Sequence, residues 1–275
     1  MTTSITYQGH NIYYDVQGQG EALLFVHGWP TNSKLWAAQV DAFKHNFKVI
    51  TFDWLGFGKS DKPKDYQYTF TRKKEILDGL IKALVEDHKQ VTIIAHDIGG
   101  PPSILWTFEN QTRVKKLILL NTLTSAYTTW FEKISHPLFI LPFTKEVLVS
   151  DFGLKRFLNT FTVSSSKLIK EHITNVVRHH KEMDRSTRLR TVLEPLKEGR
   201  ANELLTINDK LVQIALDKYL IIAKRDPLLY EHMKRFKDKN PDTPSFLLQK
   251  CSHFIPIDQP KQLNEILLTI LNPGN

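Results

Sequence analysis

Reactive side chains recur in this sequence where strand-like runs give way to turns, and Asp97 is the most telling of them. It follows Val91-Thr92-Ile93-Ile94-Ala95-His96 and precedes Ile98-Gly99-Gly100-Pro101-Pro102. Apolar and β-branched residues in a row read as a strand buried on both faces, the signature of a parallel sheet. Small residues then break the run, and helix signals follow over 103–109. An aspartate therefore stands at the apex of a strand, a sharp turn and a helix. A carboxylate is already ionised at neutral pH and needs no base in order to attack. Attack on an ester carbonyl would give a reactive anhydride, whereas attack on a saturated carbon gives an ordinary ester. Asp97 thus suits displacement at an sp³ carbon bearing a leaving group. Water must then cleave the resulting alkyl-enzyme ester, and that step does need a general base. The plainer alternative for such an aspartate is a helix N-cap.

Asp226, His253 and the turn His27-Gly28-Trp29-Pro30 occupy positions of the same kind. A buried strand over 22–26 ends in His27, a strand over 219–223 runs into Asp226-Pro227, and a strand over 245–249 precedes Cys251-Ser252-His253-Phe254. Asp226 before Pro227 also reads as a common turn pair. Residues 4–16 read as two short strands joined at Gly9, 47–52 as a strand closing on Asp53, and 114–120 as a strand ending at Asn121. Helices are predicted over 34–44, capped by Ser33, and over 69–88, 229–237 and 259–271. Strands alternating with helices imply an α/β fold with a doubly wound, mostly parallel sheet. Ligands in such sheets bind beyond the carboxyl ends of the strands, where Asp97, Asp226, His253 and the His27 turn converge. Between 122 and 210 strand-like runs give way to helical ones with aromatics at Trp130, Phe131, Phe139 and Phe143. This predicts a core domain over 1–121 and 211–275 with a helical insertion at 122–210, after the sixth strand.

Length and composition bound the function. The 275 residues, 41% hydrophobic and 24% charged, can bury a sizeable core. The single cysteine, Cys251, excludes an internal disulfide and a cysteine-built metal site. The net charge of +8 raises a nucleic-acid or anionic-membrane reading, but the basic residues are dispersed and carry no nucleic-acid motif. The densest cluster, 178–190, interleaves Arg178, Lys181, Arg185, Arg188 and Arg190 with Glu182 and Asp184, the pattern of a solvated helix face. The N-terminus lacks the pattern of a signal peptide and no apolar run approaches a membrane span, so a soluble, cytoplasmic protein is expected. The loop Gly56-Phe57-Gly58-Lys59-Ser60 lacks the spacing of a phosphate-binding P-loop.

Taken together, these stretches resemble the α/β-hydrolase superfamily, in the branch that contains epoxide hydrolases and haloalkane dehalogenases. The likeness rests on His27-Gly28-Trp29-Pro30, Gly56 to Pro63, Ala95-His96-Asp97-Ile98-Gly99-Gly100, Asp226-Pro227 and His253, in the superfamily's order of nucleophile, acid and histidine. Relative to the G-x-S-x-G elbow, Ala95 replaces the first glycine and Asp97 the serine. The resemblance implies Asp97 as nucleophile, His253 as general base and Asp226 as the carboxylate that orients it. It further implies an oxyanion hole of the Trp29 and Ile98 backbone N–H groups. His27, Gly28 and His96 are read as supporting the site, and Asp53 as structural. No metal, nucleotide or flavin is needed by this chemistry. The expected partners are a small apolar organic substrate and water; oligomeric state is left open.

The leaving group is less legible. Dehalogenases of this branch carry a Trp after the nucleophile, whereas Ile98 has no side-chain donor. The arginines that follow the nucleophile in fluoroacetate-type dehalogenases are also missing from 98–105. Epoxide hydrolases use cap tyrosines to protonate the opening alkoxide, yet Tyr127 is followed by none before Tyr219. His136, His172, His179 and His180 are the substitutes at hand, and most of them are read as exposed polar residues. Trp29 after His-Gly and the Asp-Ile-Gly elbow favour epoxide hydrolysis, with haloalkane dehalogenation as the alternative. A non-catalytic small-molecule binder on the same fold is the reading from a different class.

Overall fold

In the computed structural model, which describes residues 3–124, 146–147, 149–163, 166–198 and 206–272, eight strands form one sheet. In chain order they are β1 (Ser4–Tyr7), β2 (His10–Gln17), β3 (Ala22–Val26), β4 (Lys48–Phe52), β5 (Val91–Asp97), β6 (Val114–Thr122), β7 (Asp217–Ala223) and β8 (Ser245–Leu248). Their spatial order is β1-β2-β4-β3-β5-β6-β7-β8. The β1–β2 and β2–β4 pairs are antiparallel, and every later pair is parallel. The doubly wound, mostly parallel α/β architecture read from the sequence is therefore the one observed.

The central strands alternate between two cores. Leu24, Val26, Ile93, Ala95, Leu117 and Leu119 belong to one cluster, while Leu23, Phe25, Ile94, Ile118 and Leu120 belong to the other. Both faces are covered, so these strands carry no polar face and read as continuous apolar runs. Helix α1 (Ala37–Phe43) follows a 3₁₀ turn over Ser33–Trp36, whose N-cap is Asn32 and not Ser33. Helix α2 (Phe70–Leu84) starts from a Thr69 cap and stops earlier than its apolar pattern suggests, at Val85 in extended backbone. Helix α3 (Gly100–Glu109) leaves the Asp97 turn with Pro101 and Pro102 in its first turn, where absent N–H groups cost nothing.

Between β6 and β7 lie helices α4 (Asp151–Thr160), α5 (Lys167–His180), α6 (Arg185–Glu198) and α7 (Ile207–Gln213). Trp130, Phe131, Phe139, Phe143, Tyr127 and His136 lie outside the described residues. Helix α6 is tied to the loop before α2: Arg190 donates to the Lys64 and Tyr66 carbonyls, and Glu194 accepts from the Tyr68 N–H at 2.6 Å. Beyond β7, α8 (Tyr230–Lys239), the short α9 (Ile255–Asp258) and α10 (Pro260–Leu271) complete the chain. Among the described residues, no helix is long and apolar enough to cross a membrane.

Candidate active site

The carboxyl ends of β3, β5, β6, β7 and β8 deliver one cluster of polar side chains. Asp97 ends β5 with a left-handed backbone, φ 51°, a conformation that costs a non-glycine residue about 1 kcal/mol or more. Its surroundings hold it there. The Gly99 N–H donates to the His96 carbonyl at 2.9 Å, and Thr122 Oγ1 donates to the Asp97 carbonyl at 2.5 Å. A side chain at Gly100 would begin 1.9 Å from Thr122 Oγ1, so only glycine fits where the helix starts.

The opposite wall is the turn after β3. The Trp29 N–H donates to Asp97 Oδ2 at 2.8 Å, and the Ile98 N–H also donates to the carboxylate. A Cβ at Gly28 would sit 2.4 Å from Asp97 Cβ and 2.5 Å from its Oδ2, which explains the glycine before Trp29. Burial pushes the Asp97 carboxyl up, and the Asp226 charge adds to this against the pull of His253 and the two N–H groups. Trp29 and Pro30 are joined by a cis peptide bond.

His253 is buried in the loop after β8 and stands between two carboxylates. Its Nδ1 donates to Asp226 Oδ2 at 2.9 Å, and its Nε2 lies 3.8 Å from Asp97 Oδ1. The second distance is too long for a hydrogen bond, so the imidazole is not engaged in activating Asp97. Burial disfavours the charged ring, but Asp226 and Asp97 outweigh it and raise the His253 pKa above the usual value. For Asp226 burial pulls upward, yet His253, the Leu228 N–H and the Asn121 amide hold the carboxyl below the usual range.

The flanking histidines are buried, and burial favours their neutral form. His27 Nε2 accepts from the Trp54 N–H at 3.0 Å, which leaves Nδ1 protonated to donate to the Gly28 carbonyl at 2.9 Å. Burial brings its pKa down to about 3. His96 donates from Nε2 to the His253 carbonyl at 2.8 Å, and burial likewise lowers it to about 3. Both nitrogens of His27 are thus engaged, and His96 is bonded to the backbone of His253. Asp53 accepts from the Ser33 N–H at 2.7 Å and the Lys59 N–H at 2.8 Å, tying two loops together.

Helix α4 covers this cluster with aromatic rings. Phe157 packs edge-on against Trp29 at 5.0 Å and tilted against Phe161 at 4.4 Å, and Phe161 meets the His253 ring edge-on at 6.3 Å. Asp258 fixes this arrangement: Oδ1 accepts from the Val163 N–H just beyond α4, and Oδ2 accepts from the Ser252 N–H beside His253. Of the histidines considered as proton donors, His172 and His180 are buried, contrary to the exposed reading, and burial lowers both to about 4. His179 is half-buried and 3.0 Å from Glu182.

Three residues of this cluster have no motif to announce them. Asn121, Thr122 and Asp258 are buried polar residues that hold Asp226, the Asp97 turn and the His253 loop. The available signal for the first two was a polar pair closing an otherwise apolar strand at the carboxyl edge of the sheet.

Comparison with known proteins accords with this geometry. Residues 21–260 match the family model described as alpha/beta hydrolase fold. Over 117 residues the chain is 35% identical to cis-3-alkyl-4-alkyloxetan-2-one decarboxylase of Shewanella oneidensis, covering 42% of this chain and 36% of that protein. It is 26% identical over 288 residues to epoxide hydrolase 3 of Xenopus tropicalis, covering 96% and 75%. Against several curated relatives the chain spans half of their length or less, 36% in the Shewanella case and 49% in others. An esterase from Exiguobacterium antarcticum superposes with a TM-score of 0.80 at 19% identity, over 98% of this chain and 99% of its own, a likeness of fold. With the family model covering β3 through the start of α10, the chain belongs to the alpha/beta hydrolase fold family.

Proposed function

We propose that the protein hydrolyses epoxides to diols through an alkyl-enzyme ester on Asp97, with His253 as general base and Asp226 as its orienting carboxylate. One observation carries the reading. The Asp97 carboxylate is held by the Trp29 and Ile98 N–H groups while its Oδ1 lies 3.8 Å from His253 Nε2, beyond hydrogen-bond distance. A nucleophile that arrives ionised needs no proton acceptor, so the histidine is free for a later step. The similarity to the Xenopus epoxide hydrolase over nearly the whole chain supports the substrate class.

In the first step Oδ1 attacks an oxirane carbon, the ring C–O bond breaks, and the ring oxygen takes a proton to become the hydroxyl of a hydroxyalkyl ester. In the second, His253 Nε2 takes a proton from water and the hydroxide adds to Asp97 Cγ. The oxyanion develops on Oδ2, the atom to which Trp29 already donates. Collapse breaks the Cγ–Oδ1 bond and releases the diol oxygen, which takes the proton held by His253. The Asp97 carboxylic acid then gives its proton back to solvent, replacing the one the ring oxygen took and restoring the carboxylate. Alkylation also neutralises Asp97, removing one of the charges that favour imidazolium, so the base is released when it is needed. The half-buried rings of Trp29 and Phe157 suit an apolar substituent on the ring. The residues 122–210 act in this reading as a cap over the core.

A second reading follows from the Shewanella relative, named for a four-membered cyclic ester. The same nucleophile attacking that ring's saturated C–O carbon would expel a carboxylate in place of an alkoxide. Single turnover of an epoxide in ¹⁸O-water tests the mechanism. The diol should carry only its own ring oxygen and one unlabelled oxygen from Asp97, with the label left on the Asp97 peptide. Label in the first diol formed would exclude the ester. A substrate panel including oxetan-2-ones and haloalkanes decides the leaving group by which member turns over.

A further inference from the structure

Asn121 lies within β6 near its carboxyl end, fully buried, with a positive φ of 24°. Its amide is spent inside the site. Oδ1 accepts from the Ala223 N–H at 2.8 Å, and Nδ2 donates to Asp226 Oδ2 at 2.6 Å. The first contact fixes the second, because only the amide oxygen can accept from a backbone N–H, which turns the NH₂ toward Asp226. Asp226 Oδ2 is also the atom that accepts from His253 Nδ1, at 2.9 Å. The other oxygen, Oδ1, takes the Leu228 and Leu229 N–H groups at 2.8 and 3.3 Å. One carboxylate oxygen is therefore shared between a neutral amide donor and the imidazole.

We propose that Asn121 is a positioning residue that divides the charge of Asp226 Oδ2, so that His253 is oriented by this carboxylate yet stays able to take a proton from water at neutral pH. The proposal rests on the assignment of His253 as base given above. The surroundings of the imidazole show why such a device is needed. Two carboxylates press on it, Asp226 from the loop after β7 and Asp97 from the end of β5. The His96 ring, 4.9 Å away on β5, is neutral, and Phe161 and Phe254 contribute no charge. The Cys251 thiol, which also feels Asp226, is held in its neutral form by burial. An imidazole between two undivided carboxylates would be a stable ion-pair partner and a poor base. A hydrogen bond donated to Asp226 Oδ2 weakens that oxygen as an acceptor for His253, and the positive end of the amide dipole disfavours imidazolium directly.

The test compares wild type with N121L, which keeps the volume and removes the donor, and N121A, which removes both. The His253 imidazole is titrated by ¹³C-edited NMR in the folded protein. In parallel, formation and hydrolysis of the covalent ester are timed across pH. Both variants should move the His253 transition upward by about one pH unit. Ester hydrolysis at pH 7 should then slow, by up to about tenfold, while ester formation is little changed, and raising the pH should restore it. A structural role alone predicts slower reaction at every pH with the transition in place, and that result in a folded variant overturns the proposal. Both variants lose the acceptor for the Ala223 N–H. Should N121L fail to fold for that reason, N121A, whose smaller side chain leaves room for a water at that N–H, carries the comparison. If wild type turns over no epoxide, the function assigned above fails, while the titration still decides the role of Asn121.

Discussion

Gly28→Ala is the smallest change that sets the oxyanion turn against Asp97. The added Cβ would lie 2.4 Å from Asp97 Cβ, 2.5 Å from Oδ2 and 2.8 Å from Cγ, where ordinary contacts are 3.4–4 Å. About one ångström must therefore be found by backing the turn after β3 away from the end of β5. Both are backbone segments pinned by parallel pairing of β3 with β5, so neither yields freely. Overpacking of this kind costs about 1–3 kcal/mol, or a fall in Tm of roughly 2–5 °C for a chain of this size. The same displacement stretches the 2.8 Å bond from the Trp29 N–H beyond hydrogen-bond range. Loss of one oxyanion donor slows such reactions by about 10²–10³. In the proposed reaction the oxyanion forms only when the ester is cleaved, so hydrolysis should suffer most and the covalent species should accumulate during turnover. Differential scanning calorimetry reads the first effect, and quenched-flow intact mass reads the second. A Gly28→Ala protein with wild-type Tm and wild-type ester hydrolysis would refute this account of the turn.

Other consequences follow from the same structure. Gly79→Ala is the contrasting control: a Cβ there meets nothing within 4 Å inside α2, and the change should stabilise by about 0.5–1 kcal/mol with activity intact, as urea denaturation would show. Stability should fall on mild acidification. His27 and His96 keep a pKa of about 3 and His172 of about 4 in the fold, whereas their unfolded forms take up protons below about 6.5. Between pH 7.5 and 5.5 each such histidine costs about 1.4 kcal/mol, about 4 kcal/mol for the three together. His253, raised in the fold, works the other way: its stabilisation is full below 6.5 and is lost as pH rises through its folded pKa. A urea midpoint unchanged between pH 7.5 and 5.5 would contradict the buried, neutral assignment.

The sheet was legible because its strands are buried on both faces. Runs such as Val91 to Ala95 and Leu117 to Leu120 admit no helical period, and the turns after them carry the reactive residues. Asp97, Asp226 and His253 could be named because each follows a strand end, and strand ends on one edge of a parallel sheet converge. Asn121 and Asp258 could not, since their roles depend on which loops meet across the fold. Asn121 is separated by 105 residues from the carboxylate it holds. The N-cap fell on Asn32 because its side chain reaches the Lys34 N–H, while the hydroxyl expected to cap begins the turn itself. His172 and His180 illustrate the reverse difficulty: amphipathic α5 has a buried face that includes both, and charge alone made them look solvated.

The central claim, an ester on Asp97 cleaved with the help of His253, is tested most directly by His253→Gln. The glutamine preserves a polar side chain at this position but cannot take a proton from water, so attack by Asp97 should proceed and hydrolysis should stall. After incubation with a small aryl or alkyl epoxide, intact mass should rise by the whole epoxide mass, and peptide mapping should assign the adduct to Asp97. An alkyl adduct from haloalkanes alone would keep the nucleophile and change the leaving group. A folded His253→Gln protein that carries no adduct on Asp97 from epoxides, oxetan-2-ones or haloalkanes would contradict the claim.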